Sequence, residues 1–211
     1  MITVRKANKK DISGIMRVEQ SWPEEERASQ EKMESRLEKF STGFIVAEAD
    51  NTIVGTLTTC PMVYKMDQPG SFSTWNEVTG EGYLPPMQEP NHYNSLYIVS
   101  AGIDKMHRGK GIFELLIKNI VHVTTDLNYS FVTAGAVIPG YARYCNKYGH
   151  TDAKEYVFLK RGERFVDPFM ELYRRLNFFV PDENHVIPNY YHDDASLHYA
   201  AVVVHKILKS M

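Results

Sequence analysis

Apolar and polar residues alternate from Ile2 to Lys6, the period of a half-buried strand. Ile12, Ile15, Met16 and Val18 then recur at helical spacing behind Asp11, a residue suited to an N-cap, and Trp22-Pro23 ends that helix. Residues 24 to 40 read as a second helix, highly charged, with Met33, Leu37 and Phe40 as a thin apolar stripe. Two strands follow, at 43–49 and 52–60, joined at Asp50-Asn51 by a two-residue hairpin turn. Gly55 in the second strand predicts a bulge or a close backbone approach. The apolar, β-branched run from Leu96 to Ile103 predicts a buried strand. Past the glycines at 109 and 111, Ile112, Leu115, Leu116, Ile120 and Val123 share one face of a helix. A fifth strand is expected over 130–134, closed by Gly135, then helices over 141–148 and 152–160. Asp167-Pro168 opens one more helix, reaching about Leu176. Strands are expected at 178–180 and 199–207.

Between these elements, residues 61 to 94 change character. Pro61, Pro69, Pro85, Pro86 and Pro90 alternate with Gly70, Gly80 and Gly82, and with Tyr64, Trp75 and Tyr83. A long insertion of this kind is uncommon in a compact domain unless it serves as a lid or binding loop. The preferred reading is a lid on the acceptor side of a site; the other is a surface excursion. With no repeat, linker or low-complexity run, the 211 residues are expected to form a single domain, 1–211.

Composition narrows the classes without choosing one. Hydrophobic content of 43% and charged content of 24% are those of a globular chain, and the net charge of −2 argues against general nucleic-acid or anionic-membrane binding. No apolar run approaches the length of a membrane span, and the opening Met-Ile-Thr-Val-Arg-Lys lacks a signal-peptide core. Cys60 and Cys145 stand far apart without CxxC spacing, which fits a reducing, cytoplasmic setting. The series His192, His198 and His205 does not match metal-ligand spacing, so no metal is expected.

The chemistry concentrates in Arg108-Gly-Lys-Gly-Ile112, between a strand and a helix N-terminus. The first turn of a helix has backbone N–H groups without intrahelical partners, and its dipole end is positive. Glycines let a ligand approach the backbone, so this unit suits a phosphate or pyrophosphate. It is not a P-loop, and Glu114 stands where a dinucleotide fingerprint requires a third glycine.

The run resembles the acetyl-CoA signature of the GCN5-related N-acetyltransferases (GNAT), Arg/Gln-x-x-Gly-x-Gly/Ala, aligned from Arg108 through Gly109, Lys110, Gly111 and Ile112 to Phe113. Phe113 departs from the small residue preferred there. The order of elements is also similar. The resemblance implies an α/β fold with a mixed, mostly antiparallel sheet whose fourth and fifth strands splay apart to admit the pantetheine arm of acetyl-CoA. Ala101, Gly102 and Ile103 would pair with that arm, and amides of 109–113 would hold the phosphates. Trp75-Asn-Glu-Val-Thr79, Ile138-Pro-Gly-Tyr141, Arg161-Gly-Glu163 with Asp167-Pro168, and Ile187-Pro-Asn-Tyr190 resemble a branch that also occurs fused to a carbon–nitrogen hydrolase; the length here implies the stand-alone form.

Resemblance further implies acetyl transfer to a primary amine of a small molecule or protein by direct attack in a ternary complex, with dimers common in the family. The family's proton donor to the departing thiolate is often a Tyr in a pattern like Tyr-x-x-Leu-Gly-Phe. Residues 144–150 would place Cys145 there; residues 172–178 place Tyr173 there, behind the Asp-Pro helix start. Tyr173 is chosen, which makes 141–164 a helical insertion, although a Tyr packed under the cofactor remains the other reading. Its ordinary pKa of about 10 lies near that of a thiol. His92, Glu77 and His107 are weak candidates for a general base. Trp75, Tyr141 and Tyr144, among the aromatics expected to rim the acceptor side, are assigned to substrate binding. A non-catalytic acyl-CoA-binding module of the same fold is the alternative.

Overall fold

Asp50 and Asn51 take φ values of 49° and 60°, the left-handed pair that a two-residue hairpin turn demands. They join β2 (Phe44–Ala49) to β3 (Thr52–Met62), and this hairpin anchors the first half of the chain. A computed structural model describes residues 1–68 and 74–208. Five residues of the proline- and glycine-rich insertion, among them Pro69 and Gly70, lie outside that description.

The described residues form two compact units, neither continuous in sequence. The first holds Met1–Val63, Thr79–Val132 and the chain from Ile207 onward. In it β1 (Ile2–Lys6), β2, β3 and β4 (Ser95–Ile103) pair antiparallel in sequence order. Two register shifts, at Ala47/Glu48 and Thr58/Thr59, bend the sheet. Helices α1 (Ile12–Glu19) and α2 (Gln30–Phe40) bury Ile15, Val18, Met33 and Leu37 against Phe44, Val46 and Ile53. Helix α4 (Ile112–Asp126) buries Ile112, Leu116, Ile117, Ile120 and Thr124; Leu115 and Val123, expected on that face, are only half-buried. Gly55 is explained by close approach, since a Cβ there would meet Ile112 Cγ2 at 2.8 Å.

The second unit holds Tyr64–Val78 and Thr133–Lys206. Most of α3 (Trp75–Thr79) belongs to it, as does β5 (Phe131–Val137) from Thr133 on. It also contains α5 (Tyr141–Tyr148), α6 (Ala153–Phe158), a small hairpin of β6 (Lys160–Arg161) and β7 (Arg164–Phe165), and α7 (Pro168–Arg175). The short β8 (Val186–Ile187) pairs antiparallel with β9 (Ala200–Lys206), which lies between it and β5. Helices and mostly antiparallel strands give the α/β class expected from the pattern.

Four local expectations are corrected. Asp11 does not cap α1 with its side chain; Asn8 caps a 3-10 turn before it, and Asp11 completes the capping box while pairing with Arg5 at 2.8 Å. Residues 27–29 are not helical, Arg27 and Ser29 being extended, so α2 begins only after Ser29, whose hydroxyl accepts from the Lys32 N–H. The stretch 178–180 contributes one bridge, Phe179 with Val204, and no strand. β5 also continues through Gly135 instead of stopping there. The ring of Tyr190 occupies the space a Cβ at Gly135 would need.

Candidate active site

In the first unit, β4 runs into a 3-10 turn, Lys105–His107, capped by Asp104, whose Oδ1 accepts from the Met106 N–H at 3.0 Å and contacts His107 Nδ1 at 2.9 Å. The chain then passes through Gly109 at φ 75° and Gly111 at φ 73°, and Gly111 is the N-cap of α4. A Cβ at either glycine would meet nothing within 4 Å. The glycines are therefore required by backbone conformation, and the space over them is open to a ligand. Ile112, 2% exposed, pins the helix start to the sheet, so the first-turn amides are held by a fixed scaffold. Lys110 is exposed beside them. Arg108, the other expected cation, donates through Nη2 to the Ser21 carbonyl at 3.0 Å and so ties the turn to the segment after α1.

That segment lies over the strand expected to hold the pantetheine. A Cβ at Gly102 would meet Val18 Cγ1 at 3.1 Å, Trp22 Nε1 at 3.2 Å and Thr56 Oγ1 at 3.3 Å, so a side chain there would have to push these groups aside by a few tenths of an ångström. Ala101 and Ile103 flank it, half-buried. Sequence reasoning missed what stands behind. Glu19, 2% exposed, accepts from the Ala28 N–H through Oε2 at 2.9 Å, while its Oε1 is buried with no hydrogen-bond partner among the described residues. Burial raises the pKa of this carboxyl, and the nearby Arg36 charge opposes that only in part. Arg36 is itself buried; its Nε donates to the Gly82 carbonyl at 2.7 Å and its Nη1 to Ser100 Oγ at 2.9 Å. Burial lowers its pKa to about 10, which leaves it charged at neutral pH. The signal for Glu19 was present in the sequence: it sits four residues after Ile15, on the apolar stripe of α1.

Part of the long insertion is fastened here. Ser35 Oγ and Lys39 Nζ donate to the carbonyls of Tyr83 and Leu84, both at 2.7 Å, and with Arg36 they hold residues 82–84 along α2.

In the second unit the Ile138-Pro-Gly-Tyr141 segment meets Asp167 through Gly140. Asp167 Oδ1 caps α7, accepting from the N–H groups of Phe169 and Met170 at 2.9 and 3.2 Å. Its Oδ2 accepts from the Gly140 N–H at 3.0 Å and the Tyr156 hydroxyl at 3.2 Å. Tyr141 and Tyr144, both assigned to the acceptor, pack on the ring of Tyr156 with centroids 5.0 and 5.2 Å away. Tyr141 is buried and donates to the Thr151 carbonyl at 2.6 Å; Tyr144 also meets Tyr148 at 4.8 Å. Trp75 stands edge-on to Tyr191 at 5.7 Å, and its backbone N–H donates to the Tyr190 carbonyl at 3.1 Å. Tyr173, buried on α7, packs against Phe178 at 5.3 Å. Burial pushes its hydroxyl up to about 12, away from the ordinary value expected from sequence. Of the weaker candidates, Glu77 accepts from Thr74 Oγ1 at 3.2 Å, His92 packs on Tyr93, and Cys145 is half-buried.

Residues 10–144 match the acetyltransferase (GNAT) family, and the chain belongs to it. Among relatives it is 25% identical over 207 residues to the uncharacterized N-acetyltransferase YkwB of Bacillus subtilis, covering 96% of this chain and 87% of the relative. It is 26% identical over 204 residues to the probable hydrolase YhcX of the same organism, covering 96% of this chain and 38% of that protein. Among solved structures, the GNAT-like decarboxylase GphF in complex with isobutyryl-CoA superposes with a TM-score of 0.79 at 19% identity, covering 98% of this chain and all of that one, a likeness of fold.

Proposed function

We propose that this chain transfers the acetyl group of acetyl-CoA to a primary amine, of a small molecule or of a protein, by direct attack in a ternary complex. The observation that carries this reading is the turn at 109–113, where two left-handed glycines deliver a pinned, cation-flanked helix N-terminus at the end of β4. Amides of 109–113 receive the phosphates, with Lys110 as the mobile charge, and Ala101–Ile103 lie along the pantetheine. The acyl-CoA held by a protein of the same fold supports the choice of ligand.

Attack requires a neutral amine. Glu19 is the group on this chain suited to take the ammonium proton, since a buried carboxyl with a raised pKa is a stronger base than an exposed one. The amine nitrogen then bonds to the thioester carbonyl carbon, and collapse of the tetrahedral adduct breaks the carbon–sulfur bond. The departing thiolate takes its proton from Tyr173, which is protonated throughout the neutral range, and the proton shed by the acylated nitrogen restores the Tyr173 hydroxyl. Trp75, Tyr141 and Tyr144 contribute the aromatic surface for the acceptor.

Calorimetric titration with acetyl-CoA tests this, using the wild type beside a Lys110→Glu, Gly111→Trp variant. Micromolar binding that the variant loses, with thiol release in the presence of at least one amine of a panel, supports the reading. Binding without turnover for any amine makes the chain a non-catalytic acyl-CoA-binding module. No binding overturns the assignment of the turn.

A further inference from the structure

The loop between β8 and β9 gathers side chains that the reaction does not use. Asp193 organises it: its carbonyl accepts from the N–H groups of Ser196 at 3.2 Å and His198 at 3.0 Å, and its carboxylate accepts from the Ser196 hydroxyl. Leu197 and His198 both take left-handed backbone, φ 48° and 64°, a costly pair for residues with side chains. The doubled-back chain is closed by the Tyr190 N–H donating to the His198 carbonyl at 2.9 Å. As a result the imidazoles of His192 and His198 stack with centroids 4.9 Å apart and planes 13° from parallel. Asp194 Oδ1 lies 3.7 Å from His198 Nε2. One donor atom from each of His192, Asp194 and His198 falls within 4.8 Å of the other two. His198 Nδ1 is buried with no hydrogen-bond partner among the described residues.

We propose that His192, Asp194 and His198 form a binding site for a divalent transition-metal ion of the zinc class. Two imidazoles and one carboxylate are a donor set zinc accepts, and three protein ligands leave a fourth position for water or another donor. With bonds of about 2.0–2.2 Å, tetrahedral donors stand about 3.4 Å apart. The gap to 4.8 Å closes by rotation of His192 and Asp194, both exposed, about a fixed backbone. An ion would also fasten the segment that carries Tyr190 against Gly135 and Tyr191 against Trp75. His192 and His198 had been set aside on spacing, because the reversal through Leu197 that joins them has no glycine to announce it.

The test is a zinc titration of the chelator-treated full chain by calorimetry, repeated with cobalt(II) and followed by visible absorption. One equivalent of zinc bound at micromolar strength is expected, with cobalt bands of tetrahedral intensity. His192→Ala and His198→Ala should each weaken binding at least about tenfold, and Asp194→Asn by a comparable factor. His150→Ala, an exposed histidine elsewhere, should leave affinity unchanged. Absence of micromolar binding by the wild type, or an affinity unchanged in a folded His192→Ala, His198→Ala double variant, overturns the proposal. Because no acetyl-CoA is present, the result stands apart from the transferase reading.

Discussion

Arg36 of α2 donates to Ser100 of β4 at 2.9 Å, one residue before the stretch expected to meet the pantetheine. The same guanidinium holds the Gly82 carbonyl and reaches Thr58 Oγ1 at 3.4 Å, so one buried cation joins helix, sheet and insertion. Arg36→Ala removes the donor, leaves the Gly82 carbonyl without it and the Thr58 and Ser100 hydroxyls with only each other, and takes the opposing charge away from buried Glu19. Urea denaturation should show a loss of at least about 3 kcal/mol. A midpoint within experimental scatter of the wild type would mean that Arg36 does not hold these elements together.

Glu19 gives a prediction whose sign depends on pH. Its folded pKa is raised, so the folded state binds more protons than the unfolded state between the two values, and stability falls as pH rises through that window. Below the unfolded value of about 4.3 the contribution is fully present; above the folded value it is lost. Glu19→Gln mimics the protonated form. The variant should be more stable than wild type at pH 7, with the difference shrinking toward zero near pH 4, while its acetyl transfer at pH 7 falls by about 100-fold or more. Thermal melts across that range, with rate assays on the same samples, check both halves. A stable variant with full activity would remove Glu19 from the chemistry and keep only the electrostatics.

Asp167 is the hub of the second unit, where one carboxylate accepts four hydrogen bonds from Gly140, Tyr156, Phe169 and Met170. Asp167→Ala deletes a helix cap and strands a buried tyrosine hydroxyl and a backbone N–H, at a cost of about 3–5 kcal/mol. Asp167→Asn retains an acceptor for the α7 amides and should lose about half as much. Equilibrium unfolding of the pair decides; equal losses would show that the charge, and not the cap geometry, is what matters.

The residues that were legible in sequence are those whose role is local. Asp50-Asn51 announced the hairpin because two adjacent left-handed residues are a property of the dipeptide, and Gly109 and Gly111 announced the turn for the same reason. Asp167-Pro168 marked its helix correctly, yet nothing nearby showed that its second oxygen reaches back 27 residues to Gly140. The 24–40 helix was overextended because its charged, periodic start gave no sign that Ser29, rather than Trp22-Pro23, sets the boundary. The stretch 178–180 looked like a strand from β-propensity, but it forms only one bridge, to Val204. Glu19, Arg36 and the His192–His198 pair were passed over because polar residues read as solvated until tertiary contacts bury or juxtapose them.

Tyr173 separates packing from proton transfer. With its hydroxyl pushed up to about 12 by burial, it stays protonated across any practical assay range, so no high-pH limb of the rate profile below that value belongs to it. Tyr173→Phe keeps the ring against Phe178 and should cost no more than about 1–2 kcal/mol of stability. If Tyr173 protonates the departing thiolate, kcat drops by about 100-fold while KM for acetyl-CoA holds, and an acyl donor with a more acidic thiol recovers most of the rate because its thiolate leaves without help. If the ring only packs, kcat is unchanged and the thiol's acidity makes no difference between variant and wild type. Steady-state rates with two thioesters of different leaving-group pKa distinguish the two, and equal sensitivity in both proteins would take the proton-donor role away from Tyr173.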